Sequence, residues 1–112
     1  MKLVFVDTET TGLDRQSDEI IELAALRIDW PSWRVDAAYY QRFRSEREVH
    51  PDAAAVNGYT YDAWRNSPDV RSPNGRRALD TFAEFVDGCR WVGSMPQFDF
   101  DMLTRARERV GL

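Results

Sequence analysis

The stretch LVFVDTETTGL, residues 3–13, decides which fold the chain is predicted to adopt. Leu3–Val6 is an unbroken apolar run, which is typical of a strand buried on both faces. Asp7 and Glu9 follow, and they share one face because successive side chains of a strand alternate. Neighbouring carboxylates repel each other, and their oxygens suit Mg²⁺ or Mn²⁺, so the pattern indicates a cation site. A strand end that meets solvent would also explain Asp-x-Glu, and the residues alone leave that alternative open.

Length and composition indicate a small folded domain. The chain has 112 residues, of which 43% are hydrophobic and 12% aromatic, and we predict a single domain over residues 1–112. Its net charge is −4, so the chain lacks the overall positive charge with which many proteins bind nucleic acid. Nucleic acid is not excluded, because divalent cations would reverse the local sign at an acidic site.

The cysteine count and the hydropathy indicate the cellular compartment in which the protein is expected. Cys89 is the only cysteine, so an intrachain disulfide is excluded and a cysteine zinc site is not expected. No segment reaches membrane-spanning length, and the apolar start at Leu3 is too short for the core of a signal peptide. We therefore expect a reducing, cytoplasmic setting without membrane association.

The first half of the chain predicts a β-hairpin after the opening strand. Asp14–Glu19 is polar and indicates a loop. Ile20–Ile28 is apolar and could be a helix or a buried strand by periodicity. We predict a strand, because the sequence WPSW at 30–33 is typical of a hairpin turn and Val35–Arg44 can form the returning strand.

The second half predicts mostly helices. A short helix opens at residues 50–52 and ends at Asn57-Gly58, and a second follows with Thr60 as its cap. Residues 67–68 and 72–75 carry loop signals. A longer helix is predicted over Arg76–Val86, because its apolar residues recur at i, i+3, i+4 and i+7. These residues are Leu79, Phe82, Ala83 and Val86.

A strand and a helix are predicted to close the sequence. Arg90–Gly93 indicates a short strand, and a helix is predicted from near Phe98 to Val110, with Gly111 as its cap. Its apolar face consists of Met102, Leu103, Ala106 and Val110. Asp99 falls in the first turn of this helix, where the helix dipole favours any acidic residue, so an ordinary structural role is the simpler alternative.

Two stretches together resemble a known family. VDTETTGL, residues 6–13, is similar to the first motif of the DEDD 3′→5′ exonucleases, the DnaQ-like proofreading branch of the ribonuclease H-like superfamily. Phe98-Asp99 and Met102-Leu103 resemble its second motif, although Ser94 and Met95 stand where the family has His and Asn. The resemblance implies an α/β fold, a ribonuclease H-like mixed sheet flanked by helices.

The resemblance also implies an activity: metal-dependent 3′→5′ exonuclease action at the 3′ end of single-stranded DNA or RNA, releasing nucleoside 5′-monophosphates. Two Mg²⁺ or Mn²⁺ ions are expected in the complete site. On this resemblance Asp7 bridges both ions, Glu9 binds one and orients the nucleophile, and Asp99 completes the shell of the second.

By the same resemblance, a substrate site follows the first motif. Thr10 and Gly12 would meet the terminal nucleotide, and Leu13 would pack against its base. The simpler alternative is a turn with one buried leucine.

The family's third motif is not found in the sequence. Family members carry His or Tyr and then Asp well beyond the second motif, whereas this sequence reaches Leu112 thirteen residues after Asp99. His50 lies between the two motifs and is expected at the surface or in a helix cap, so no general base is evident. We expect a C-terminally incomplete fold with weak or absent activity as a 112-residue chain, which a homodimer or a missing C-terminal segment would complete.

Two other functions remain as alternatives. One is a non-catalytic nucleic-acid-binding module or fragment that retains the fold. The other is a phosphatase with an Asp-x-Asp nucleophile after a strand. It ranks last because Glu9 occupies the second Asp position and Lys2 is the only lysine.

Overall fold

A computed structural model describes residues 1–93 and 95–112. These residues form a four-stranded sheet and four helices. In chain order the elements are β1 (Lys2–Thr10), β2 (Ile20–Asp29), β3 (Arg34–Arg42), α1 (Pro51–Asn57), α2 (Tyr61–Trp64), α3 (Pro73–Val86), β4 (Arg90–Val92) and α4 (Pro96–Arg109). The predicted α/β class with a mixed sheet and flanking helices is confirmed.

The strand order is β3-β2-β1-β4, which places β1 in the interior of the sheet. β1 is antiparallel to β2 from Lys2–Asp29 to Thr10–Ile20, and parallel to the short strand β4. β2 and β3 form the predicted antiparallel hairpin, with a cis peptide bond at Trp30-Pro31 in its turn. The strand prediction for Ile20–Ile28 is therefore confirmed over the helical alternative.

Helices α3 and α4 pack on one face of the sheet. From β1, Val4 and Val6 join the core of this layer. Leu79 and Phe82 of α3 and Met102, Leu103 and Ala106 of α4 are buried in the same cluster. Because strand side chains alternate, Thr8 continues the row of Val4 and Val6 toward the helices, whereas Asp7 and Glu9 face the other way.

The two shorter helices follow their predictions. α1 ends at Gly58, which has the left-handed φ of 73° typical of a helix cap. The side chain of Thr60 caps α2 by accepting a hydrogen bond from the Ala63 N–H at 3.2 Å. Within the part of the chain that the structure describes, no helix combines the length and apolarity that crossing a membrane would demand.

The predicted start of α3 was wrong, whereas α4 begins close to its predicted start near Phe98. α3 begins at Pro73, not at Arg76, because the Ser72 hydroxyl accepts a hydrogen bond from the Gly75 N–H at 3.1 Å and caps the helix. The apparent loop signal at residues 72–75 is thus a helix start with proline in the first turn, where its missing N–H is harmless. α4 begins at Pro96. Ser94 of the second motif lies outside the described residues.

Candidate active site

β1 carries two of the three predicted acids on one face. Asp7 is exposed, and Glu9 beside it is half-buried. Burial raises the pKa of Glu9, and the negative charges of Asp7, Glu22 and Asp99 raise it further. Repulsion of this kind favours a proton or a cation between the carboxylates.

Helix α4 brings the third acid, Asp99, to the same segment of β1. Asp99 lies in the first turn of α4 and is buried. Its Oδ1 accepts hydrogen bonds from the Thr8 hydroxyl at 2.5 Å and from the Thr8 N–H at 3.3 Å. Asp99 therefore meets β1 between Asp7 and Glu9, but from the side that the helices cover.

The negative charges of neighbouring acids raise the pKa values of Glu9 and Asp99. Burial raises the pKa of Asp99, the two hydrogen bonds from Thr8 lower it, and the charge of Asp7 raises it, with a net increase. Across residues 1–93 and 95–112, no three His, Cys, Asp or Glu side chains are arranged as a ready metal site. The donor set itself fits Mg²⁺ or Mn²⁺, because it is all oxygen and repels itself without a cation. That the three acids share ions stays a prediction.

The three predicted substrate residues lie together in the turn after β1. Thr10 is buried, and its hydroxyl donates a hydrogen bond to the Gly12 carbonyl at 2.5 Å. Leu13 is 83% exposed, so the alternative of a turn with a buried leucine is wrong. The roles of these residues toward a nucleotide stay predictions.

A cleft of about 600 Å³ adjoins Glu9 and Thr8. One wall is the turn with Thr10, Gly12 and Leu13, and the facing wall is helix α1. Glu9 and Phe98 also line the cleft. Sequence reasoning assigned α1 no role. The one signal in the sequence is that α1 is followed by Gly58-Tyr59-Thr60. The family resembled has a short helix and then a Gly-x-Thr in the segment before its second motif.

Asp18, which the sequence placed in a polar loop, is one of the most buried residues, with 2% of its surface exposed. Its carboxylate accepts hydrogen bonds from the Thr11 hydroxyl at 2.8 Å and the Asp14 N–H at 2.9 Å. Arg47 Nε lies 3.5 Å and His50 Nε2 3.9 Å from its Oδ1. Asp18 thus joins the turn after β1 to the segment that leads into α1, and it supports both walls of the cleft.

Asp101 is partly exposed, and His50 lies at the surface, as the sequence predicts for His50. Asp101, at a variable position of the second motif, forms an ion pair with Arg15 at 2.6 Å and accepts a hydrogen bond from Gln97. His50 precedes α1 and keeps 59% of its side chain exposed. Neither residue contacts Asp99 in the described part of the chain.

A mixed sheet with Asp-x-Glu on its interior strand, and a helix that brings a further Asp to that strand, defines the class of ribonuclease H-like nucleases. The sequence matches the family described as Exonuclease (RNase_T) over residues 4–112, and the chain belongs to that family. The resemblance to DEDD exonucleases is thereby confirmed.

Similar proteins include two bacterial DNA polymerase III proteins. The chain is 30% identical to the DNA polymerase III subunit epsilon of Treponema pallidum over 97 residues, which cover 87% of this chain and 42% of that protein. It is 29% identical to the PolC-type DNA polymerase III of Thermotoga maritima over 100 residues, which cover 89% of this chain and 7% of that protein.

Solved structures share the fold. E. coli exonuclease I in complex with a dT13 oligonucleotide superposes with a TM-score of 0.78 at 20% identity. Exonuclease I of Methylocaldum szegediense superposes with a TM-score of 0.81 at 18% identity. Each match covers 97% of this chain and 24% of the other. The chain therefore spans less than half the length of these relatives and structures.

Proposed function

We propose that this domain, residues 1–112, carries the metal site of a 3′→5′ exonuclease. Its substrate is the 3′ end of single-stranded DNA or RNA, and its products are nucleoside 5′-monophosphates. The observation that carries the proposal is the anchoring of Asp99 to Thr8, between Asp7 and Glu9, next to the cleft. Membership of the exonuclease family supports the hydrolytic class.

The proposed site holds two Mg²⁺ or Mn²⁺ ions. Asp7, Glu9 and Asp99 would hold these ions: Asp7 would serve both, Glu9 would bind one of them, and Asp99 would complete the shell of the second. Such ions, when bound, make water a nucleophile at neutral pH and neutralise the charge on the leaving oxygen. The raised pKa values of Glu9 and Asp99 support this assignment, because burial and the charges of neighbouring carboxylates disfavour their ionised forms, which a bound cation would stabilise.

The cleft is proposed to receive the terminal nucleotide. Its volume of about 600 Å³ lies within the range of small-ligand sites. The exposed Leu13 offers an apolar surface for a base. The hydrogen bond from the Thr10 hydroxyl to the Gly12 carbonyl holds the backbone turn beside it. E. coli exonuclease I, which shares the fold, binds a dT13 oligonucleotide, and this supports a single strand as the ligand. We place the reaction in the reducing cytoplasm.

The 112-residue chain is proposed to turn over slowly or not at all by itself. No general base was identified in its sequence, and one positioned acid–base group contributes about 10²–10⁴-fold to a rate. A second copy of the chain or a further segment would supply the missing group.

A nuclease assay tests the activity. The purified chain is incubated with Mn²⁺ and single strands of DNA or RNA, labelled at either end. We expect at most slow release of mononucleotides from the 3′ end, lost in Asp7→Asn and on a 3′-blocked strand. Release from the 5′ end, or cleavage that Asp7→Asn leaves intact, would contradict the proposal. Rapid turnover would show that the site is already complete.

The second candidate is a nucleic-acid-binding module without catalysis. It is favoured by one observation: within the described residues the acids are not arranged as a ready metal site. Such a module would bind single strands equally well with and without Mn²⁺, and Asp7→Asn would not change its affinity. The exonuclease proposal predicts that Mn²⁺ binds the chain and that Asp7→Asn removes this binding.

A further inference from the structure

We propose that Thr8 is a positioning residue of the metal site, which fixes Oδ1 of Asp99 so that Oδ2 is left as the ligand atom. The inference rests on the proposed function, and it assigns a task to the middle residue of Asp-x-Glu. By alternation along the strand this residue faces away from the two acids beside it.

Both polar groups of Thr8 bind the same oxygen of Asp99. The hydroxyl lies 2.5 Å and the N–H 3.3 Å from Oδ1. Thr8 and Asp99 are 8% and 7% exposed, so water competes little for these bonds. The hydroxyl bond is short, as hydrogen bonds to a carboxylate typically are, and the longer N–H bond adds a second attachment from the same strand residue, so that together they orient the carboxylate.

The other oxygen, Oδ2, is left available. In the described part of the chain no hydrogen bond reaches it. Both hydrogen bonds that the described residues make to the Asp99 carboxylate end on Oδ1. An anchored oxygen beside one with no such bond is the arrangement expected of a carboxylate held ready for a cation.

Strand alternation then explains how one short segment organises three acids. Asp7 and Glu9 are presented directly on one face, and Thr8 holds the third acid at the adjoining edge of β1, where its N–H points and where the acids feel one another's charge. Partners that orient a metal ligand typically contribute about 10–100-fold to metal affinity. Thr8 is β-branched and therefore has few side-chain rotamers, which suits this role.

Mn²⁺ titration of variants, followed by the electron paramagnetic resonance signal of free Mn²⁺, tests the inference. Thr8→Val keeps the shape of the side chain and removes its hydroxyl, and we expect it to raise the Kd for Mn²⁺ about 10-fold or more. Thr8→Ser restores the hydroxyl and should recover most of the affinity. In an Asp99→Asn background, Thr8→Val should have no further effect, because Thr8 acts through Asp99.

The outcomes separate this inference from the proposed function. If the native chain binds no Mn²⁺, or if Asp7→Asn leaves binding unchanged, the proposed function fails. If the native chain binds Mn²⁺ through Asp7 and Thr8→Val binds it equally well, only the positioning role of Thr8 fails. An equal loss from Thr8→Val in the native and Asp99→Asn backgrounds would also overturn that role, since it would indicate a general structural effect.

NMR spectroscopy covers the case in which Thr8→Val does not fold. In the native chain, the slow hydrogen exchange expected of the Thr8 amide should persist when Mg²⁺ is added. The same amide signal should shift in Asp99→Ala. Rapid exchange of this amide on addition of Mg²⁺ would show that Asp99 leaves Thr8 when the ion binds, and it would overturn the inference.

Discussion

At the scale of single residues, Glu9 shows that the site lowers the free energy of unfolding when no cation is bound. Its pKa is raised above the ordinary value of 4.5 by burial and by the charges of its acidic neighbours. The folded chain therefore holds the Glu9 proton more tightly than the unfolded chain does. The free energy of unfolding consequently falls as pH rises from about 4.5 through the raised pKa.

Replacing Glu9 by Gln removes this penalty. In the absence of divalent ions we expect Glu9→Gln to unfold at a higher urea concentration than the native chain at pH 7. The difference should shrink as pH falls below 4.5, where Glu is protonated in both states. Glu48→Gln, at an exposed position, is the control and should show no such trend. A Glu9→Gln variant that is less stable at pH 7 would contradict the expected repulsion.

What the sequence predicts about these residues is limited by distance along the chain. The shared face of Asp7 and Glu9 follows from alternation within one strand. The bond between Thr8 and Asp99 joins residues 91 positions apart, and no local pattern specifies it. Resemblance to a family pointed to Asp99, but only the folded chain shows that Thr8 is what holds it.

At the scale of elements, buried Asp18 connects the turn after β1, which is one wall of the cleft, to the segment that leads into α1, which is the other wall. We expect Asp18→Ala to lower the free energy of unfolding by about 1–3 kcal/mol, because it leaves the buried Thr11 hydroxyl and the Asp14 N–H without their acceptor. Urea unfolding followed by circular dichroism measures the change. Asp62→Ala is the matched control, since the Asp62 side chain is 88% exposed. Equal stability of the two variants would show that Asp18 does not join the loops.

The start of α3 gives a second prediction. A Cβ on Gly75 would lie 2.1 Å from the Asp69 carbonyl oxygen and 2.7 Å from the Val70 Cα. Alanine usually favours a helix over glycine by about 1 kcal/mol, but here the clash with backbone outweighs that gain. We expect Gly75→Ala to destabilise the fold by about 1–3 kcal/mol in urea unfolding.

Gly93→Ala is the control for this clash, because the nearest atom to its added Cβ is the Val6 carbonyl oxygen at 3.7 Å. A Gly75→Ala variant more stable than the native chain would contradict the close approach of the backbones. The sequence could not reveal this approach. Ser72, Pro73 and Gly75 are residues that loops and helix starts share, and the choice between them depends on what packs against the first turn.

At the scale of the whole molecule, the order of elements could be predicted well and their packing only in part. The β2–β3 hairpin and the amphipathic helices follow from periodicity and turn residues. The parallel pairing of β4 with β1 is a contact of residues far apart in sequence, and only three residues long. The cleft could not be foreseen either, because it depends on α1 facing the turn after β1.

The proposed metal site requires that Asp99, held on α4, binds divalent ions together with Asp7 and Glu9 on β1. Calorimetric titration of Mn²⁺ into Asp99→Asn and Asp101→Asn tests it most directly, because both residues lie on α4, two positions apart. We predict that Asp99→Asn weakens Mn²⁺ binding about 10-fold or more, as loss of a ligand requires, and that Asp101→Asn binds like the native chain. Equal affinities of the two variants would contradict the claim.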